Sequence, residues 1–302
     1  MSMDHDSRRA LISVDDLVND IVTDLAAGPS AGELAGDSIG IVAGAGPVLL
    51  DVRWQLGGPS QHPQYLAGHL PGARWCDLDA DLADPPGPGG RHPLPNPARL
   101  QARLQAWGID DDTEVICYDG GNSIAAARAW WVLRWAGLAR VRVLDGGFAA
   151  WQAANGQVQV EVPAPRPGTV QVRPGSLPTL DADAAAGWAS QGRLVDVRTP
   201  ERFLGEQEPI DPVAGRIPGA VNLPTAGNLQ PSGAFASGSA LRDRFSGLPA
   251  GQPVGVYCGS GVTAAHTALA MHLVGIDAVL YPGSWSEWIT DPARPIAAGR
   301  PD

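Results

Sequence analysis

The stretch VGVYCGSGVTAAHTALAMHLVGIDAVLYPGSWSEW (residues 254–288) sets the reading of the whole chain, because it lines up with VICYDGGNSIAAARAWWVLRWAGLARVRVLDGGFAAW (residues 115–151). In both, a short apolar run passes through a cluster of tiny residues into a helical pattern, and a second short β-branched run follows. Short buried strands alternating with helices require crossover connections, and hence a mainly parallel sheet flanked by helices. The predicted fold class is α/β.

Other blocks repeat in the same order. VLLDVR (48–53) returns as RLVDVR (193–198), and GHLPGA (68–73) returns as GRIPGA (215–220). The offsets stay between 137 and 147 residues, the period of a whole domain rather than of a solenoid unit, so the chain is a tandem duplication. The intervening NGQVQVEVPAPRPGTVQVRPGS (155–176) is Pro-rich with alternating Val and predicts an extended surface connector. The expected organisation is a first domain over 10–160, a linker over 161–175 and a second domain over 176–302. Ser13 and Asp16 predict a capping box for a helix through Leu25. The Gly- and Ala-rich residues 26–47 that follow predict a flexible insertion before the first strand.

Composition narrows the function classes. The 302 residues carry 21 basic side chains, all of them Arg, against 32 acidic ones, a net charge of −11 that disfavours nucleic acid and anionic membrane surfaces as partners. Acids flank Arg8 and Arg9, and nowhere do about 18 apolar residues run together, so the expectation is a soluble cytoplasmic protein. The three cysteines Cys76, Cys117 and Cys258 cannot all pair and lack the close spacing of a zinc site. His266 and His272, six apart on one helix, do not share a face, which argues against a metal pair.

Cys258 follows VGVY and precedes GSGV and a helix, so it falls at the carboxyl end of a buried strand, where open α/β sheets bind ligands. Gly259, Ser260 and Gly261 let the backbone curl so that successive amides converge, and the helix start adds its positive end. Such a cradle stabilises a thiolate or a persulfide without any charged side chain. The competing reading, a small buried core residue, is the usual fate of a free cysteine and suits Cys76 and Cys117 better. The position six after Cys258 is Ala264, not the arginine that would grip phosphate oxygens, which disfavours phosphoryl chemistry. The first copy has Asp119 in place of Cys258 and is expected to be catalytically silent, a scaffold and one wall of the cleft.

These blocks, in order and in duplicate, resemble the tandem-domain rhodaneses, and within them the 3-mercaptopyruvate sulfurtransferase type, over about residues 45 to 290. Cys258 to Thr263 match the neutral Cys-Gly-Ser-Gly-Val-Thr form of that type at every position, rather than the basic loop of thiosulfate-using members. The resemblance implies two rhodanese-like domains, a Cys258 persulfide fed by 3-mercaptopyruvate with release of pyruvate, and no metal or organic cofactor. It implies a thiol acceptor, such as thioredoxin or a low-molecular-weight thiol, or cyanide. By the same resemblance Gly259, Gly261, Val262 and Thr263 line the substrate, and Arg202 of RTPERFLG grips its carboxylate; an ion pair of Arg202 with Glu201 or Glu206 is the competing reading. Many members carry a second arginine before the HIPGA block; here the segment reads EPIDPVAG, and Arg216, in place of that block's histidine, is the expected substitute. A Ser, His and Asp relay used by some members would draw on Ser260 and His69, but no acid lies between Asp51 and Asp77 to complete it, and His69 holding the turn before Pro71 is the alternative. Trp285 is a further candidate for the cleft wall. Thiosulfate as donor and a non-enzymatic persulfide carrier remain the alternatives to mercaptopyruvate turnover.

Overall fold

The computed structural model describes residues 10–26 and 46–301, so most of the Gly- and Ala-rich stretch read as an insertion lies outside the described residues. The first half runs β1 (Leu11–Ile12), α1 (Val14–Ala26), β2 (Val48–Asp51), α2 (His62–Ala67), β3 (Arg74–Trp75), α3 (Leu78–Asp81), α4 (Pro97–Ala106), β4 (Val115–Tyr118), α5 (Ile124–Trp135), β5 (Val141–Leu144) and α6 (Gly147–Ala153). The second runs α7 (Ala182–Ala189), β6 (Leu194–Asp196), α8 (Pro200–Leu204), β7 (Val221–Asn222), α9 (Gly238–Phe245), β8 (Val254–Tyr257), α10 (Val262–His272), β9 (Ala278–Leu280) and α11 (Ser284–Trp288).

The strands form two wholly parallel sheets, ordered β1-β5-β4-β2-β3 and β7-β6-β8-β9. In both, the strand that ends in the loop with Asp119 or Cys258 is central, and every residue of β4 and β8 is buried. Their residues VICY and VGVY suit strands covered on both faces. The helices that follow, α5 and α10, pack on each other: Trp131 and Val132 share one apolar cluster with Leu269 and Met271. Both are buried nearly all round, which explains why neither shows a polar face in sequence. Residues 161–173 form no helix or strand and lie along the first half, with Gly168 N donating to Gln105 O and Val170 N to Ile109 O. Ser13 and Asp16 make the reciprocal cap of α1, Asp16 N donating to Ser13 Oγ at 3.1 Å and Ser13 Oγ to Asp16 Oδ2 at 2.8 Å.

The duplicated DVR and GHLPGA/GRIPGA blocks turn out to be one structural lock made twice. Asp51 and Asp196, fully buried at their strand ends, each hold the arginine two residues on at 2.6 Å. The same guanidiniums donate to the first carbonyl of the other block, Arg53 to Gly68 O and Arg198 to Gly215 O, both at 2.7 Å. His69 and Arg216, one residue further, are also equivalents. His69 pairs in backbone with Gln159, and its ring meets the carbonyls of Tyr65 at 2.8 Å and Glu161 at 3.3 Å. Arg216 pairs in backbone with Ala297 and donates to the carbonyls of Phe203 and Gly299. Each fastens the segment that leaves its own domain.

Removing Asp196 takes the closer of two carboxylates from a guanidinium whose side chain is only 1% exposed, leaving Glu208 at 3.3 Å. Breaking a buried pair from one side costs about 3–5 kcal/mol. Asp196→Ala should therefore show a large drop in urea midpoint, and Asp51→Ala a smaller one, because Arg53 keeps 11% exposure and can rehydrate.

Candidate active site

Cys258 sits directly after β8, buried, with its carbonyl accepting from Trp285 N at 3.0 Å and that of Gly259 from Ser286 N at 2.9 Å. Those contacts with α11 fix the loop, and its inner amides turn onto sulfur: Ser260 N donates to Sγ at 3.4 Å and Gly261 N at 3.1 Å. Gly261 has φ +79°, and a Cβ there would lie 2.4 Å from Pro282 O, so only glycine fits between the loop and the α11 turn.

The first loop has the same design with a carboxylate at its centre. Asp119 Oδ1 accepts from Gly121 N and Ser123 N, and Oδ2 from Ala125 N and Ala126 N, all at 2.9–3.2 Å. Burial lifts this carboxyl above its ordinary range while the four amides oppose the shift. The loop is an anion cradle in both copies, filled by oxygen in one and by sulfur in the other.

A cavity of about 310 Å³ opens over Cys258 between the two halves. Trp54, Leu56, Arg91 and Ile124 wall it from the first half, and Arg202 and Thr263 from the second. Gly259, Ser260 and Val262 also line it. The two guanidiniums converge on the loop: a Cβ at Gly259 would lie 2.7 Å from Arg91 Nη2 and 3.3 Å from Arg202 Nη2, and both side-chain ends would have to shift to admit it. Arg202 is paired with neither Glu201 nor Glu206. Its partners are Glu208 at 2.7 Å and Asp211 at 3.0 Å, and Asp211 holds Arg91 as well. Glu208 further holds Arg198, so three arginines face Asp196, Glu208 and Asp211 without a net excess of charge. Arg91 reaches the site because its amide donates to Ser286 Oγ at 3.0 Å, docking the segment before α4 onto α11.

Ser260 is part of a relay, but not with His69. Its hydroxyl lies 2.7 Å from His92 Nδ1, and His92 Nε2 lies 3.0 Å from Asp79 Oδ1. A carboxylate only accepts, so Nε2 carries the proton and Nδ1 accepts from the serine. Asp79 is set in the first turn of α3 by the Asp77 cap, and Trp54 Nε1 donates to it at 3.1 Å. The hydrogen bond from His92 holds the Asp79 carboxyl below its ordinary value, against desolvation and with help from Trp54.

Cys258, Gly259, Ser260, Val262, Thr263 and Arg202 therefore meet at one cavity, whereas Gly261 does not line it and serves through its amide on Sγ, and three further expected residues lie elsewhere. His69 is consumed by the Tyr65 and Glu161 carbonyls, and Arg216 by those of Phe203 and Gly299. Trp285 is fully buried, with Nε1 donating to Val213 O at 2.8 Å; it supports the loop from behind, and Trp54 takes the wall position instead. Sequence reasoning missed Asp79, Arg91 and His92. Their one signal is a titratable Arg–His pair closing the PPGPGG loop (85–90), a kind of segment that often carries function.

Cys76 and Cys117 are buried away from the cavity, and burial pushes both thiols well above their ordinary range. Iodoacetamide should modify Cys258 alone in the folded protein, and peptide mass mapping that finds either of the others labelled first would contradict this.

Comparison with known proteins agrees with this architecture. The rhodanese-like domain model matches residues 40–154 and again 180–291. A putative thiosulfate sulfurtransferase, SseB, of Mycobacterium tuberculosis is 47% identical over 269 residues, spanning 86% of this chain and 94% of the relative. A probable 3-mercaptopyruvate sulfurtransferase of Pseudomonas aeruginosa is 47% identical over 264 residues, spanning 83% and 92%. The crystal structure of SseA from Escherichia coli, described as a 3-mercaptopyruvate sulfotransferase, superposes with a TM-score of 0.76 at 28% identity, covering 92% of this chain and 99% of that one.

Proposed function

The chain belongs to the rhodanese family and is a sulfurtransferase, and on that premise we propose that its donor is 3-mercaptopyruvate and its sulfur carrier Cys258. The observation that carries this reading is the convergence of Arg91 and Arg202 on a cysteine loop that has no basic residue of its own. The two guanidiniums offer parallel donors to a carboxylate, while the loop amides wait for an anion on sulfur.

In the proposed reaction the Cys258 thiolate attacks the thiol sulfur of the donor. The new Sγ–S bond forms as the donor's C–S bond breaks, and its electron pair passes to carbon as the enolate of pyruvate. Ser260 takes the donor's thiol proton as its own passes to His92 Nδ1, with Asp79 on Nε2 stabilising the imidazolium, and the proton then returns through Ser260 to that carbon, giving pyruvate. An acceptor thiolate, of thioredoxin or of a small thiol, or cyanide then takes the outer sulfur and frees the Cys258 thiolate. The loop amides serve both resting thiolate and persulfide. The first domain is silent in this scheme, since Asp119 cannot carry sulfur, yet it supplies Arg91, His92 and Asp79.

Thiosulfate is the second reading, favoured by the name of the Mycobacterium tuberculosis relative and by the presence of two cations rather than one. Charge favours mercaptopyruvate. Glu208 and Asp211 already neutralise Arg91 and Arg202, a balance that suits a monoanionic carboxylate better than a dianion.

Steady-state rates of thiocyanate formation test this. The kcat/KM for 3-mercaptopyruvate should exceed that for thiosulfate by at least about 100-fold, and equal or reversed values would overturn the donor assignment. A charge-assisted hydrogen bond is worth about 1.5–3 kcal/mol, so Arg91→Met and Arg202→Met should each raise KM for mercaptopyruvate by roughly 10- to 100-fold. His92→Gln should lower kcat about 100-fold with little change in KM; an unchanged kcat would remove the relay.

A further inference from the structure

Arg128 lies on α5, in the domain without the cysteine, and is completely buried. Its guanidinium meets only backbone oxygens. Nη2 donates to Leu82 O at 3.2 Å and His92 O at 3.1 Å, with Pro93 O at 3.5 Å, and Nη1 approaches Gly261 O at 3.5 Å. Nε has no partner, and among the described residues no carboxylate pairs with this arginine. A buried cation without a counter-anion is costly, and structures rarely retain one unless an anion appears in the working state. The carbonyls it touches belong to the two segments that make the site: Gly261 closes the cysteine loop, and Leu82, His92 and Pro93 flank the relay.

We propose that Arg128 is the counter-cation of the sulfur anion at Cys258, thiolate and persulfide alike, and the positioning residue that ties the cysteine loop to the His92 segment. This rests on Cys258 as the sulfur carrier. Two observations support it. Burial pulls the guanidinium down, to about 10, and Cys258 is the one ionisable group whose charge acts against that shift to keep Arg128 protonated. The duplication also supplies a control: Arg128 is the fifth residue of α5, and the fifth residue of α10 is His266, which faces the Asp119 loop at Asn122. His266 is fully buried and held neutral, its pKa lowered to about 3 by desolvation. The carboxylate loop needs no cation because four amides satisfy Asp119, whereas only two reach Cys258 Sγ. The other charges near the sulfur do not substitute for Arg128. Arg91 and Arg202 face it across the cavity but are neutralised by Asp211 and Glu208, and His92 reaches it only through Ser260.

The test uses the full chain and needs no turnover, so it fails separately from the donor assignment. Cys258→Asp copies the first loop, and Cys258→Asn is its neutral isostere. Thermal unfolding at pH 7 should place Cys258→Asp several degrees above Cys258→Asn. The gap should shrink by at least half when Arg128→Gln is added, and persist with Arg128→Lys. In parallel, the pH midpoint of Cys258 alkylation should move up by at least one unit in Arg128→Gln and stay within a few tenths in Arg128→Lys, a readout that a purely structural arginine would not move. An Asn variant as stable as the Asp variant overturns the proposal even if Arg128→Gln does not fold. A gap or an alkylation midpoint that ignores the charge at position 128 overturns it as well.

Discussion

An anion held by inward-turned backbone amides at the mouth of a helix is the constraint on which this molecule is built. It explains why tiny residues follow β4 and β8, why the loops stand at the centre of their sheets, and why α5 and α10 start there. Duplication produced two such cradles, and they have diverged in what they hold. Asp119 fills one with two oxygens and four amides, a closed arrangement with no room for chemistry. Cys258 leaves the other open to a cavity, and its sulfur is the carrier in the proposed reaction.

The division of labour between the halves follows from their packing. Because α5 and α10 pack face to face, the first domain lies against the Cys258 loop and lends it side chains: Arg128 from below, His92 and Asp79 from the side, Arg91 across the opening. A domain whose loop carries Asp119 in place of the cysteine thus forms part of the neighbour's site. Arg91, from the first domain, is the second guanidinium at the cavity, and Asp211 of the EPIDPVAG segment holds it in place.

The fold was legible in the sequence because a repeat doubles every signal: strands, helices and loop each appear twice in register. The loop chemistry was legible because it depends on residues adjacent in the chain. The relay was not, for a physical reason. Asp79 and His92 are brought to Ser260 by the docking of one domain on the other, and no local periodicity encodes that contact. The family resemblance put His69 in the relay, yet repetition argued the other way: Arg216 holds the same place in the second copy, and both serve as fasteners. Arg128 was hidden in an apolar helix that also carries the half-buried Arg134, and such an arginine looks like a surface residue until the second helix covers it.

The most direct measurement is a single turnover with 3-mercaptopyruvate and no acceptor, reading pyruvate released and the intact mass of the chain together. The account predicts one pyruvate per chain and one added sulfur, located on the Cys258 peptide and absent from Cys258→Ser. Pyruvate released without added sulfur, or sulfur retained on the serine variant, would contradict it.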